Sequence, residues 1–177
     1  MKRADMLAFI FSLNEADMAE VLRKHFTENP ESIKKVYLLA KSVSDRFDPE
    51  AISQEIFCGL DQFGFKDLNA RAGRTRHGYV HPNDAVGEMF QEVMDPVLDE
   101  MRKKIKQGLS GAAKAYCVGI IQGLWEYETQ SSSEISDWFV DLPADAAREA
   151  LEEWLASEPS EEDKAEVDGL FPELWRE

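Results

Sequence analysis

The basic residues between positions 71 and 81 are the ones whose types and spacing best suit binding chemistry. The stretch is interrupted by Gly73 and Gly78, and its candidate binding residues are Arg71, Arg74, Arg76, His77 and His81. Arginine offers forked donors to a carboxylate or phosphate, and a helix predicted to begin at Asn83 adds free backbone N–H groups. This segment is therefore a candidate site for an anion or for a partner protein.

A structural role is the alternative for the same segment. No glycine-rich phosphate loop accompanies it, so its cations can equally pair with the acidic last third of the chain. A metal site built from His77 and His81 with Asp84 or Glu88 needs a continuous helix to align ligands four residues apart. Pro82 and the nearby glycine interrupt such a helix, so we predict no metal here.

Covalent catalysis finds little support in the sequence. Cys58 and Cys117 are the only cysteines, and both fall inside apolar helical patterns, which predicts two buried thiols. Ser110 and Cys117 have no neighbouring base, and the many carboxylates of the last third are too common to identify an acid–base pair. We predict no catalytic residue and no cofactor.

The net charge of −15 is concentrated at one end of the chain. Residues 126–177 hold seventeen acidic residues against three basic ones, a net charge of −14, whereas the first 125 residues carry −1. Such a field repels nucleic acid and anionic membranes and attracts a basic protein. Acidic faces that simply keep the protein in solution are the alternative.

Helical signals follow one another along the whole chain. Asn14, Asn29–Pro30 and Asp48–Pro49 have the chemistry of helix starts, and apolar residues recur at helical spacing after each. A long helix is predicted from Asn83 to Gln107. Pro96 lies inside it and should kink this helix or split it in two. No strand pattern or hairpin signal competes. We predict an all-α fold of about eight or nine helices, packed as antiparallel hairpins in a bundle or a short tetratricopeptide-like array.

The segment from Ser110 to Glu128 is predicted to be the central helix. It is apolar on most of its circumference, and only Lys114, Gln122 and Glu126 keep a narrow polar line. Small residues recur every fourth position in a stripe made of Gly111, Ala115, Gly119 and Gly123. Two glycines inside a helix cost about 0.5–1 kcal/mol each relative to alanine, so we expect another helix to approach the stripe closely.

The four tryptophans all occupy apolar helical positions. Core packing is the first interpretation, although Trp154 and Trp175 are also candidates for an interface, where tryptophan is enriched. We predict one helical domain over residues 1–157, followed by an acidic helix or tail over residues 158–177. Phe171, Leu174 and Trp175 should fold that tail back onto the body.

Part of the chain resembles the helical region that follows the zinc motif in prokaryotic SWIM zinc-finger proteins. The resemblance covers about half of the chain and is carried by Gly78–Tyr79–Val80, Val93, Val97, Leu98, Gly108, Ala112, Ala113 and Ala115, with a similar order of elements from Asp5 to Leu22. The zinc ligands of that family, a CxC followed by a CxH, are absent here. The resemblance therefore implies a tetratricopeptide-like helical array and no metal or nucleic-acid role.

Together these features favour a non-catalytic helical scaffold that binds another protein, with a basic partner attracted to its acidic last third. The second hypothesis is a small-ligand or anion-binding domain, or an enzyme, that uses the loop from Arg74 to His81 beside Tyr79 and Tyr116. No apolar run approaches the roughly 20 residues that cross a bilayer, and no cleavage site follows the first thirteen residues. We expect a cytoplasmic protein, a monomer or a homodimer, with no nucleic-acid or membrane partner.

Overall fold

A computed structural model describes residues 3–44, 47–76 and 78–171 of the chain. The chain divides into two compact units, Met1–Val43 and Ser44–Glu177, and each is described by itself. Within the described residues, no helix combines the length and the apolar character needed to span a membrane.

The first unit consists of α1 (Arg3–Phe11), α2 (Glu15–Glu28) and α3 (Ser32–Ser44). Asn14 caps α2 as predicted, because its side-chain oxygen accepts a hydrogen bond of 2.9 Å from the backbone N–H of Asp17. The helical spacing of Val21 and Leu22 in α2 predicts that both are buried, but this is wrong, since these side chains are 45 % and 39 % exposed. None of residues 3–43 is buried.

The second unit contains the remaining elements. They are α4 (Pro49–Asp61), α5 (Phe65–Arg71), β1 (Gly73–Thr75), β2 (Gly78–Val80), α6 (Pro82–Lys106), α7 (Ser110–Gln130), a 3-10 turn (Ser136–Trp138), α8 (Leu142–Ala156) and α9 (Glu161–Leu170). The described part thus has nine α-helices, which confirms the all-α prediction. The sequence reading missed the antiparallel hairpin of β1 and β2, in which Arg74 pairs with Tyr79.

Helix α7 lies at the centre of the second unit, as its composition predicted. Eleven of its residues are buried, Ile120 and Cys117 completely. A Cβ added to Gly119 would lie 2.7 Å from the carbonyl oxygen of Pro49, and one added to Gly123 would lie 2.7 Å from that of Ser53. The glycines therefore allow the backbone of α4 to pack directly on α7, which is the close approach that the stripe predicted.

Lys114, Gln122 and Glu126, the polar line of α7, join this helix to its neighbours. Lys114 donates hydrogen bonds of 2.6 and 2.9 Å to carboxylates of α9. Gln122 donates to Glu50 of α4 at 3.0 Å, and Glu126 accepts a bond of 2.9 Å from the hydroxyl of Ser53. Because Ser53 is fully buried, this bond gives its hydroxyl the hydrogen-bond partner that a buried polar group needs.

Helix α6 is one continuous helix through Pro96, so of the two effects predicted for this proline, a kink or a split, the split is wrong. Its N-cap is His81 rather than Asn83, because the His81 ring nitrogen Nδ1 accepts a bond of 3.3 Å from the Asn83 backbone N–H. Gly108 follows the helix with a φ of +67°, the left-handed conformation that glycine adopts most easily. Near the C-terminal end of α6, Arg102 forms an ion pair of 2.8 Å with Glu153 of α8.

The two thiols differ in their surroundings. Cys117 is buried as predicted, and burial raises its pKa to about 12, so the thiol stays protonated. Cys58 was also predicted to be buried, but it is exposed on the outer side of α4. The helical spacing placed it next to apolar residues without revealing which side of α4 other helices cover.

Candidate functional site

Two members of the predicted basic site serve the structure of the second unit. Arg71 forms an ion pair of 2.6 Å with Glu92 of α6, and its guanidinium lies 5.5 Å from the ring centre of Phe63. His81 caps α6 through the bond to Asn83. The partner of Arg71 is thus in α6 and not in the acidic last third, to which sequence analysis had assigned the basic loop as one possibility.

The other members do not converge on a common point. Arg74 lies in β1 and Arg76 in the turn after it, and both are exposed. No ion pair joins either one to another residue in the ranges that the structure covers, and His77 lies outside those ranges. Among the described residues, no group of three His, Cys, Asp or Glu side chains is placed to hold a metal ion. The anion-site hypothesis for this loop stays a prediction.

An apolar groove is formed by the C-terminal half of the second unit. It has a volume of about 620 Å³, within the size range of ligand and peptide clefts. Helix α7 supplies its floor through Ile121, Leu124 and Trp125, and α8 supplies one wall through Pro143 and Ala147. The far wall is the end of α9, formed by Leu170 and Phe171.

Exposed apolar side chains stand at this groove. The indole of Trp125 is 54 % exposed and the side chain of Leu170 is 53 % exposed, whereas Ile121 and Leu124 beneath them are each 1 % exposed. Large apolar surfaces that remain open beside a packed floor are typical of binding grooves.

The polar side chains of the groove are all acidic or amide. Gln122 and Glu126 line it and hydrogen-bond each other at 2.9 Å, and both are further bound to α4. Glu128 also lines the groove, and partial desolvation raises the pKa of its carboxyl. The rim thus carries negative charge, and the amide of Gln122 is already engaged by Glu50 and Glu126.

The outer wall of the groove is attached to α7 by a small number of contacts. Val167 of α9 is fully buried, and Lys114 reaches Asp163 at 2.6 Å and Glu166 at 2.9 Å. The hydrogen bond from Lys114, with a second from Ser160, holds the pKa of Asp163 below its usual value of 3.8. The same pairing with Asp163 raises the pKa of Lys114 above 10.5.

This pairing predicts a window of pH in which α9 is firmly held. Because the Asp163 pKa is lowered on folding, its contribution is present above 3.8 and is lost as pH falls through the folded pKa. Because the Lys114 pKa is raised, its contribution is complete below 10.5 and is lost at higher pH. Lys114→Met should lower the free energy of unfolding by about 1 kcal/mol at neutral pH, and the difference from wild type should shrink below pH 3.8.

Urea unfolding of both proteins across this pH range measures the effect. Lys164→Met is the matched control, because Lys164 pairs at 2.7 Å with Glu161 inside α9 itself. That change should alter the free energy of unfolding by less than about 0.5 kcal/mol. Equal effects of the two substitutions would show that Lys114 does not fasten α9.

The two tryptophans predicted as interface candidates have different outcomes. Trp154 is 1 % exposed inside the core, so it presents no surface for an interface and packs as the first interpretation expected. Trp175 and Leu174 lie outside the described residues, whereas Phe171 packs against the core cluster. Sequence reasoning missed Trp125, which it assigned to the core. Its position beside Gln122 and Glu126, at the polar line of α7, was the available signal.

No known protein family, curated protein or solved structure matches this chain. The resemblance to the helical region of SWIM zinc-finger proteins therefore stays a prediction. What the fold and the groove define is a class: an all-helical body with an apolar, acid-rimmed cleft between three helices.

Proposed function

We propose that this chain is a non-catalytic helical scaffold that binds a basic, amphipathic helical segment of another protein in the groove of α7, α8 and α9. The observation that carries the proposal is the combination of an open apolar floor at Trp125 with an acidic rim. An amphipathic helix binds in such a groove through apolar side chains spaced three or four residues apart, and its basic side chains would contact the acidic rim.

Charge complementarity favours a basic partner over other occupants. Both walls of the groove belong to the last third of the chain, which carries −14. No ion pair joins Glu128, Glu152 or Glu162 to a basic side chain among the residues that the structure includes. Their negative charge is therefore available to attract lysine and arginine on a partner and to raise its rate of association.

The lining also argues against a small polar ligand. Gln122 and Glu126 already bond to each other and to α4, so the groove has no converging set of free donors and acceptors. In contrast, tryptophan is one of the side chains on which protein interfaces concentrate their binding energy, and the indole of Trp125 is exposed at this groove. These properties support a non-catalytic role in which the groove binds another protein.

The test uses a labelled peptide of about four helical turns, with leucine on one face and lysine on the other. We expect fluorescence anisotropy to show binding to the full chain that weakens as salt is added. Trp125→Ala should lower the affinity at least about tenfold, because it removes the largest exposed anchor. Trp138→Ala is the matched control, since Trp138 is 40 % exposed but does not line the groove.

A peptide of the same composition in scrambled order separates groove recognition from plain charge attraction. It should bind at least about tenfold more weakly, because its leucines no longer form one face. Equal binding of the two peptides, or an affinity that Trp125→Ala leaves unchanged, would contradict the proposal.

A further inference from the structure

The first unit exposes more large apolar side chains than all the other described residues together. Twelve large apolar side chains are exposed within residues 3–43, against seven in all other described residues. Six of the twelve are more than half exposed, namely Phe9, Phe11, Tyr37, Leu38, Leu39 and Val43. None of residues 3–43 is buried, so this unit has apolar residues but no core.

Three short helices without a core are not stable on their own. Isolated helices of 9 to 14 residues are marginal in water, and helices in proteins are held mainly by packing of their apolar faces. In α1, residues 6–11 are apolar without interruption, so apolar side chains point to every side of the helix. A helix of this kind is normally covered on several sides.

The size of the exposed surface matches what a stable dimer needs. An aromatic side chain buries about 150–250 Å² and an aliphatic one less, so twelve large apolar side chains that are roughly half exposed offer on the order of 1,000 Å². A standard interface takes about 800 Å² from each partner.

The charge of this unit permits a second copy to approach it. Residues 1–43 hold seven Lys and Arg against six Asp and Glu, a net charge of +1, whereas the remainder of the chain carries −16. A nearly neutral apolar surface does not select a partner by charge, and an identical surface is present at equal concentration on every other copy. We infer that residues 3–43 form the interface of a homodimer in which the helices of two copies complete one core.

Sedimentation of the full chain tests this inference. We expect a mass of twice the 20.1 kDa of one chain. Added salt should strengthen the dimer, because the interface is apolar and the acidic remainders of the two copies repel each other. The salt response is thus opposite in sign to the one expected for a basic peptide in the groove, which keeps the two proposals distinguishable.

Substitution of exposed residues identifies the interface. The double variant Phe9→Glu and Leu38→Glu should raise the dimer dissociation constant at least about 100-fold. Tyr79→Glu, at an aromatic that is 70 % exposed in the second unit, should leave it unchanged. All four tryptophans lie beyond residue 43, so their fluorescence reports that the second unit stays folded in each variant. A monomer at tens of micromolar protein, or a dimer that the double variant leaves intact, would overturn the inference.

Discussion

Gly119→Ala is expected to lower the free energy of unfolding by about 1–3 kcal/mol, although alanine is the better helix former. The added methyl would lie 2.7 Å from the Pro49 carbonyl oxygen and 2.7 Å from Cβ of Ile52. Neither group is the end of a flexible side chain, so the methyl forces α4 away from α7. Gly123→Ala should act in the same direction, because its methyl would meet the backbone of Ser53 at 2.7 Å.

Gly87→Ala is the matched control for both glycines. Gly87 lies in α6, and no atom is within 4 Å of the position that its Cβ would take. There the helix preference of alanine acts alone, so we expect stabilisation by about 0.5–1 kcal/mol. Urea unfolding followed by circular dichroism measures all three variants. Stabilisation by Gly119→Ala would show that the two helices are not in close contact.

Trp154→Ala is expected to have the largest effect on stability, a loss of about 3–5 kcal/mol. The side chain is 1 % exposed in the core between α8 and its neighbours, so its removal leaves a cavity. Trp154→Phe removes less volume and should remain folded if the alanine variant does not. Chemical unfolding of the two variants gives the size of the loss.

Trp125→Ala is the matched comparison for Trp154. Because Trp125 is 54 % exposed, its removal should lower the free energy of unfolding by less than about 1 kcal/mol while it weakens binding of the basic peptide. The two tryptophans thus separate stability from binding. A loss of several kcal/mol from Trp125→Ala would place this residue in the core and remove it as a binding anchor.

The central helix was predictable because its evidence is local. The glycines at 119 and 123 have no purpose in an isolated helix, and the apolar circumference of residues 110–128 requires cover on several sides. The starts of α2 and α4 were equally readable, since Asn14 and Asp48 each cap the backbone a few residues ahead. Such features depend on residues that are close together in the sequence, so they can be predicted without knowledge of the folded structure.

The remaining features depend on which elements meet in space. Cys58 and Trp125 stand among apolar neighbours in sequence, yet both side chains are exposed. Helix α6 begins at Pro82, one residue before its predicted start at Asn83, and His81 is its cap. The short hairpin from Gly73 to Val80 was missed because its strands are only three residues long.

The candidate groove was only half predictable for the same reason. The acidic excess that surrounds it is a property of composition, and it pointed to the last third of the chain. The apolar floor, however, brings together residues from three helices between positions 118 and 171. The spacing of residues within one helix cannot predict a cleft between three helices. In the basic segment that was predicted as a site, Arg71 instead forms an ion pair with α6, and His81 caps the start of that helix.

Chemical-shift mapping of the full, isotope-labelled chain with the amphipathic basic peptide shows directly whether the groove binds it. We expect the backbone shifts to concentrate at Trp125 and Glu128 of α7, at the start of α8 around Pro143 and Ala147, and at Leu170. Shifts concentrated instead on residues 71–81, or an absence of shifts at saturating peptide, would contradict the proposed function.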